Sequence, residues 1–316
     1  MIINDDCKIL SKLSLRNNEL EDISQISPGA LKFLHLENNP KLQIESFDSF
    51  KSLNSLSLDY SSISYPGSLI SLGQISDVSS LKIINNPSSL MSTPYAIKFD
   101  DYFMNLQRLD LSGLGLKVLP ANMNSFLLNL REVNLSFNQL TSLEGLKGMP
   151  KLTHVLLYGN KIEHINECLD FTRNTKNLKL FDLRENKLTK RFHPNLFECL
   201  NMAHANGNIA AHGSISNNGA SFEDAEVRQD GQLKTYLKSI SRKYQTEWCD
   251  SDTKYLKDLE KFDTSLYNKR IGYQGLLVST NKNLKWLDGT ILDDDRINMI
   301  KKHWSLILGQ ARKNLA

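Results

Sequence analysis

LREVNLSFNQLTSLEGLKGMPKLTHVLLYGNKIEHI, residues Leu130 to Ile165, is one pattern written twice. Leu130, Val133, Leu135, Asn138, Leu140 and Leu143 return 22 residues later as Leu152, Val155, Leu157, Asn160, Ile162 and Ile165. Aliphatic residues at positions 1, 4 and 6 of LxxLxLxxNxL alternate inward on a short strand and its approach. The asparagine at position 9 can satisfy backbone groups where the chain turns out of that strand. A unit this short holds one strand and one return segment. Neither buries its apolar face alone, so the units have to stack.

The same pattern extends towards the N-terminus. Leu10, Leu13, Leu15, Asn18 and Leu20 form a first copy, and Leu31, Leu34, Leu36, Asn39 and Leu42 a second. A third, Leu53, Leu56, Leu58 and Ile63, has Ser61 in place of the asparagine. A fourth runs Val78, Leu81, Ile83, Asn86. The fifth, Leu106, Leu109, Leu111 and Leu116, carries Leu114 at the asparagine position. After the opening pair comes an eighth, Leu178, Phe181, Leu183, Asn186, Leu188. This resembles the leucine-rich repeat. The expected fold is an α/β leucine-rich repeat solenoid, a curved parallel β-sheet with short helices or 3₁₀ turns outside. Repeats one to eight occupy 1–189. Residues 1–9 are too few to cover the first repeat, so the chain reads as the C-terminal part of a longer protein or as one whose partner covers that end.

A net charge of +3 on 38 basic and 35 acidic residues is too balanced to mark a nucleic-acid footprint. No run of apolar residues is long enough to span a membrane, and no signal peptide is visible. Cys7, Cys168, Cys199 and Cys249 are scattered without a CxxC pair, which suits free thiols in a reducing, cytoplasmic setting. No histidine sits in a metal or nucleophile spacing, and there is no phosphate-binding loop, nucleophile elbow or HExxH. The reading is therefore no enzyme, no cofactor, no metal, no nucleic acid, no membrane and no small-molecule substrate.

After Leu188 the register stops, and 190–270 reads as an insert. Residues 201–232 are rich in Asn, Gly, Ala and Ser and predict a flexible loop. From 233 to 270, Leu233, Tyr236, Leu237, Ile240, Tyr244 and Trp248, then Tyr255, Leu256, Leu259 and Phe262, fall at helical spacing. Residues 271–316 return to the repeat and close with a helix carrying Ile297, Ile300, Trp304 and Ile307 on one face. Asp293 to Asp295 cap that helix.

Tyr273, Val278, Leu284, Leu287, Asp288, Gly289, Asp295 and Arg296 resemble the C-terminal cap of the SDS22-like leucine-rich repeat family. Short repeats, a charged helical insert and this cap are, more narrowly, similar to the fungal spindle-pole-body scaffolds of the mitotic exit and septation initiation networks, with centriolin as an animal relative. That resemblance implies a non-catalytic adaptor whose partners are spindle-pole or signalling proteins, located at the spindle pole body or centrosome. The SDS22 resemblance implies instead a regulatory subunit of a protein phosphatase. A GTPase-activating protein on a repeat scaffold is a third reading, for which no arginine stands out.

Side chains at positions 3, 5, 7 and 8 are expected on the concave sheet face. Towards the C-terminal end they include Phe137, Leu156, Tyr158, Leu180, Asp182, Arg184 and Trp286, with the composition of a protein-binding hot spot. The alternative is that the insert helices fold over these residues and bury them.

Overall fold

A computed structural model describes residues 9–26, 29–44, 47, 49–59, 64–65, 68–69, 77–84, 103–119, 123–196 and 242–313. The expected loop at 201–232, the helical stretch from 233 to 241, Ser61, Asn86 and residues 1–8 lie outside the described residues. Two compact units divide the chain, Met1–Val155 and Leu156–Ala316.

In the first unit the repeats supply strands β1 (Lys12–Ser14), β2 (Phe33–His35), β3 (Ser55–Asp59), β6 (Ser80–Ile84), β7 (Arg108–Asp110) and β8 (Glu132–Asn134), and β9 (His154–Leu156) begins there and ends at the first residue of the second. They are neighbours in that order, and the pairs from β1 to β8 are parallel. A two-stranded antiparallel hairpin, β4 (Ser64–Tyr65) with β5 (Ser68–Leu69), lies in one return segment. Helix α1 (Met123–Phe126) and a 3₁₀ turn at Glu144–Leu146 occupy others. Register matches the repeat: Leu34 pairs with Leu56, Leu56 with Leu81, Leu81 with Leu109 and Leu109 with Val133. All five are buried. The unit is a leucine-rich repeat solenoid.

The asparagines hold the turns together. Asn39 Nδ2 donates to Leu36 O (2.6 Å) and to Leu15 O of the preceding repeat (2.9 Å), and its Oδ1 accepts from Leu20 N (3.3 Å). Asn138 repeats this with Leu135, Leu111 and Leu116, and Asn186 with Leu183, Leu157 and Ile162. One side chain thus serves buried backbone groups of two repeats, groups that would otherwise be left unpaired away from water. At Leu114 the aliphatic side chain is itself buried, between Gly113 and Gly115 at φ +72° and +70°.

The second unit contains α2 (Ile165–Asn174), β10 (Leu180–Asp182), α3 (Arg242–Phe262), α4 (Thr264–Thr280), β11 (Trp286–Leu287), β12 (Thr290–Ile291) and α5 (Asp294–Lys313). Strand β11 pairs parallel with β10, then turns back antiparallel into β12. Asp288 and Gly289 form the two-residue turn with φ of +53° and +75°, the geometry that matches a hairpin's twist. Helix α4 crosses the boundary drawn at 270/271. It packs on α2, where Thr172 and Thr280 share a hydrogen bond of 2.9 Å. Asn281 Nδ2 caps the end of α2 at Thr172 O and Thr175 O. It is therefore the return helix of the last repeat, and the insert is an expansion of that one return segment.

Helices α3, α4 and α5 share a core of Leu256, Leu259, Tyr267 and Ile271 with Met299, Trp304 and Ile307 against it. Gly275 lets α5 approach: a Cβ there would stand 2.7 Å from Trp304 Cγ. Asp263 caps α4 by accepting from Leu266 N, and Asp293 caps α5 by accepting from Arg296 N at 2.8 Å, as the acidic run predicts. Among the described residues no helix is long and apolar enough to cross a membrane.

Candidate partner-binding surface

The sheet face is set by the repeat, position by position. Positions 3 and 5 lie on the strands. In the second unit they present Leu180 beside its register partner Trp286, and Leu156; all three are half-buried. These three are the part of the expected surface that reaches solvent.

Position 7 behaves otherwise. Glu37, Asp59, Ser112 and Ser136 in the first unit and Tyr158 and Arg184 in the second are all buried. Backbone pairing runs on past the strands: Asn17 N donates to Glu37 O, Gly113 N to Ser136 O and Gly159 N to Arg184 O. These six position 7 side chains are therefore stacked between neighbouring repeats, whereas Arg16 in the first repeat is exposed and Ile84 in the fourth half-buried. Position 8 has left the strand altogether. Asn17, Asn38, Phe137 and Glu185 have φ between +57° and +60°, with Gly113 and Gly159 in the same region. Strand alternation no longer applies there, and Phe137 in the first unit is only 9% exposed. The expectation of Phe137, Tyr158 and Arg184 as exposed residues is corrected by this backbone geometry.

Asp182 is buried for a local reason. Its Oδ1 accepts from Arg184 N at 3.1 Å, the same turn-closing bond that Asp110 makes to Ser112 N and Asn134 to Ser136 N. It also pairs with the Arg184 guanidinium, Nε at 3.0 Å and Nη2 at 2.6 Å. Arg184 in turn lies over the Tyr158 ring at 5.6 Å and over Trp248 of α3 at 4.4 Å. Burial raises the Tyr158 phenol above its usual range, with the Glu185 charge adding to it. Trp248 of the insert helix thus covers Arg184, Tyr158 and Asp182 are buried around that guanidinium, and Leu156, Leu180 and Trp286 are half-buried at the surface.

Beneath this face lies a polar network that sequence reasoning did not find. Asp252 of α3, with no exposure, accepts from Arg270 Nη2 (2.5 Å), Thr290 Oγ1 (3.2 Å) and Arg296 Nη2 (3.4 Å). His193 bridges Asp252 (3.0 Å) and Asp288 (3.3 Å) with its two ring nitrogens. Asp288 also accepts from Tyr273 Oη (2.9 Å) and from Leu183 N (2.7 Å). Burial alone would raise the Asp252 carboxyl; Arg270, His193 and Arg296 outweigh it and hold it well below the carboxylate range. Tyr273 is raised, by burial first and by the Asp288 charge. Among the described residues no group of three or more His, Cys, Asp and Glu is placed to hold a metal ion.

The cap pattern acquires a physical meaning here, because Tyr273, Asp288 and Arg296 meet in one network. Gly289 is fixed by packing: a Cβ would come within 2.7 Å of Arg184 Cζ and 2.8 Å of Trp248 Nε1. The signal available in the sequence was this spacing of cap residues; His193, Asp252 and Arg270 carried none.

No family model matches the chain. Over 188 residues, 60% of this chain, the sequence is 23% identical to the septation initiation network scaffold protein cdc11 of Schizosaccharomyces pombe. The match spans 16% of that relative's length. Two solved structures are similar. Internalin C2 of Listeria monocytogenes shares 24% identity over 56% of this chain and 72% of its own, with a TM-score of 0.39. Human 5T4, a trophoblast glycoprotein, shares 18% identity over 58% of this chain and 71% of its own, with a TM-score of 0.42.

Proposed function

We propose that this chain is a non-catalytic protein-binding domain that anchors a mitotic-exit or septation signalling scaffold at the spindle pole body. The observation that carries the reading is the similarity to a septation network scaffold over 188 residues of a chain whose repeats present a sheet face. Leu156, Leu180 and Trp286 are the residues offered to the partner. Asp182, Arg184 and Tyr158 act from beneath, fixing the strand ends and the covering helix. Phe137 enters only through the turn it closes.

The test is co-sedimentation of the tagged chain with purified spindle pole bodies. Leu180→Asp with Trp286→Asp places two charges on register neighbours at the surface, and association is expected to fall about tenfold or more. Both sites are half-buried, so the melting temperature is measured alongside, and Leu180→Ser with Trp286→Ser, which adds no charge, should weaken association in the same direction. No enrichment of the unaltered chain would sink the reading. A second reading, a regulatory subunit of a protein phosphatase, is favoured by the meeting of Tyr273, Asp288 and Arg296 in the SDS22-like cap pattern. Stoichiometric co-purification of a phosphatase catalytic subunit would select it.

A further inference from the structure

The sheet face of the first unit has a different chemistry. Register places Lys12, Phe33, Ser55, Ser80 and Arg108 in one row across β1, β2, β3, β6 and β7, and Ser14, His35, Ser57, Lys82 and Asp110 in the next. Phe33 is 39% exposed, a large apolar ring open to water. Between it and the basic residues lie serines, whose short side chains leave a shallow floor. From β2 to β7 is three strand spacings, about 14 Å, the length of roughly four extended residues.

The acids on this face are consumed internally. Glu37 is buried and paired with Arg16 at 2.7 Å. Asp59 is buried and accepts from Asn39 N. Asp110 accepts from both Ser112 N and Ser112 Oγ. Lys12, Lys82 and Arg108 instead make no hydrogen bond or ion pair among the described residues. Against the one half-buried carboxylate of Asp110 stand Lys12, Lys82 and Arg108, so the net charge of these rows is positive, and Glu132 on β8 ends the basic stretch.

We propose that this face binds an extended acidic peptide, with its carboxylates held by Lys12, Lys82 and Arg108 and an apolar side chain seated on Phe33. His35 reports the field at the centre. Its Nδ1 lies 3.0 Å from both Arg16 Nη2 and Ser57 Oγ, and the guanidinium can only donate. Burial lowers its pKa first, then the charges of Arg16, Lys12 and Lys82, with Glu37 opposing.

The experiment is fluorescence anisotropy with a labelled peptide of alternating Glu and Leu, its Gln–Leu counterpart, and a single-stranded oligonucleotide. The acidic peptide should bind, more weakly as salt rises. Lys82→Glu with Arg108→Glu should weaken it about tenfold, and Phe33→Ala about fivefold. If the reversed pair fails to fold, Lys82→Met with Arg108→Met gives the same reading through lost attraction alone. The protonation midpoint of His35, followed by NMR, should rise on binding as an anion offsets the neighbouring cations. Equal binding of the Gln–Leu peptide, preference for the oligonucleotide, or unchanged affinity in the variants would overturn the proposal. Leu180 and Trp286 are untouched in every variant, so this outcome and that of the co-sedimentation are separable.

Discussion

Position 7 of the repeat is buried in the second, third, fifth and sixth repeats of the first unit and in both described repeats of the second, yet the two units fill it differently. The first unit uses Glu37, Asp59, Ser112 and Ser136 there, two acids and two serines. The second places Tyr158 and Arg184 there, stacked on each other, and needs Trp248, more than sixty residues further along the chain, to cover Arg184. The repeat backbone decides that a position is buried. How large and how charged its side chain can be depends on what arrives from elsewhere. The first unit is therefore stabilised by many small local bonds, and the second by a few long-range ones.

The sharpest test of this contrast is to remove one acid from each unit. Asp252→Ala leaves Arg270 buried without its carboxylate, and about 3–5 kcal/mol of stability should be lost. Asp110→Ala removes turn-closing bonds at a half-buried site and should cost about 1 kcal/mol. The three tryptophans, Trp248, Trp286 and Trp304, all lie in the second unit, so their fluorescence in urea reports its unfolding, and far-ultraviolet circular dichroism followed alongside adds that of the first. Equal losses would break the comparison.

Two glycines sharpen it further. Gly289→Ala combines a left-handed backbone with a collision against Arg184 and Trp248, and should cost roughly 3 kcal/mol. Gly113→Ala has the same sign of φ but open space around it, so only the backbone term of about 1 kcal/mol applies. Denaturation followed by far-ultraviolet circular dichroism would compare them.

Alkaline pH should act on the second unit. Burial pushes the Cys168 thiol up to about 12, with Glu167 and Asp288 adding to it, and the Tyr267 phenol to about 12. A group raised on folding contributes stability below its unfolded value and loses it as pH rises through the folded one. The urea midpoint by tryptophan fluorescence should therefore fall from about pH 9 towards 12, and Cys168 should resist a thiol reagent at pH 8. Asp252 runs the other way. Its lowered value means that its contribution is present above the ordinary carboxylate range, about 3.9, and lost only in stronger acid. A flat alkaline profile would mean that these groups are open to solvent.

Much of the fold was legible because the repeat is a local code. Leu135 and Leu157 are buried, and Asn138 and Asn160 close their turns, because those roles are fixed within one unit. The surface was less legible. Treating positions 7 and 8 as strand positions placed Phe137, Tyr158 and Arg184 in solvent, whereas the chain has already turned, as the positive φ of Phe137 shows. Leu156, Leu180 and Trp286 sit on true strand positions, and for them the alternation holds.

The sequence by itself determined the stack, the asparagine bonds and the capped closing helix. Each follows from spacings shorter than one repeat, over which backbone geometry is the main variable. Only the tertiary structure decided that α4 is a return helix, that Trp248 lies on Arg184, and that His193, Asp252, Arg270 and Asp288 meet. Those side chains come from segments as far apart as His193 and Asp288. Their pairing is set by which charges must be compensated once water is excluded, and one-dimensional spacing carries no record of that requirement.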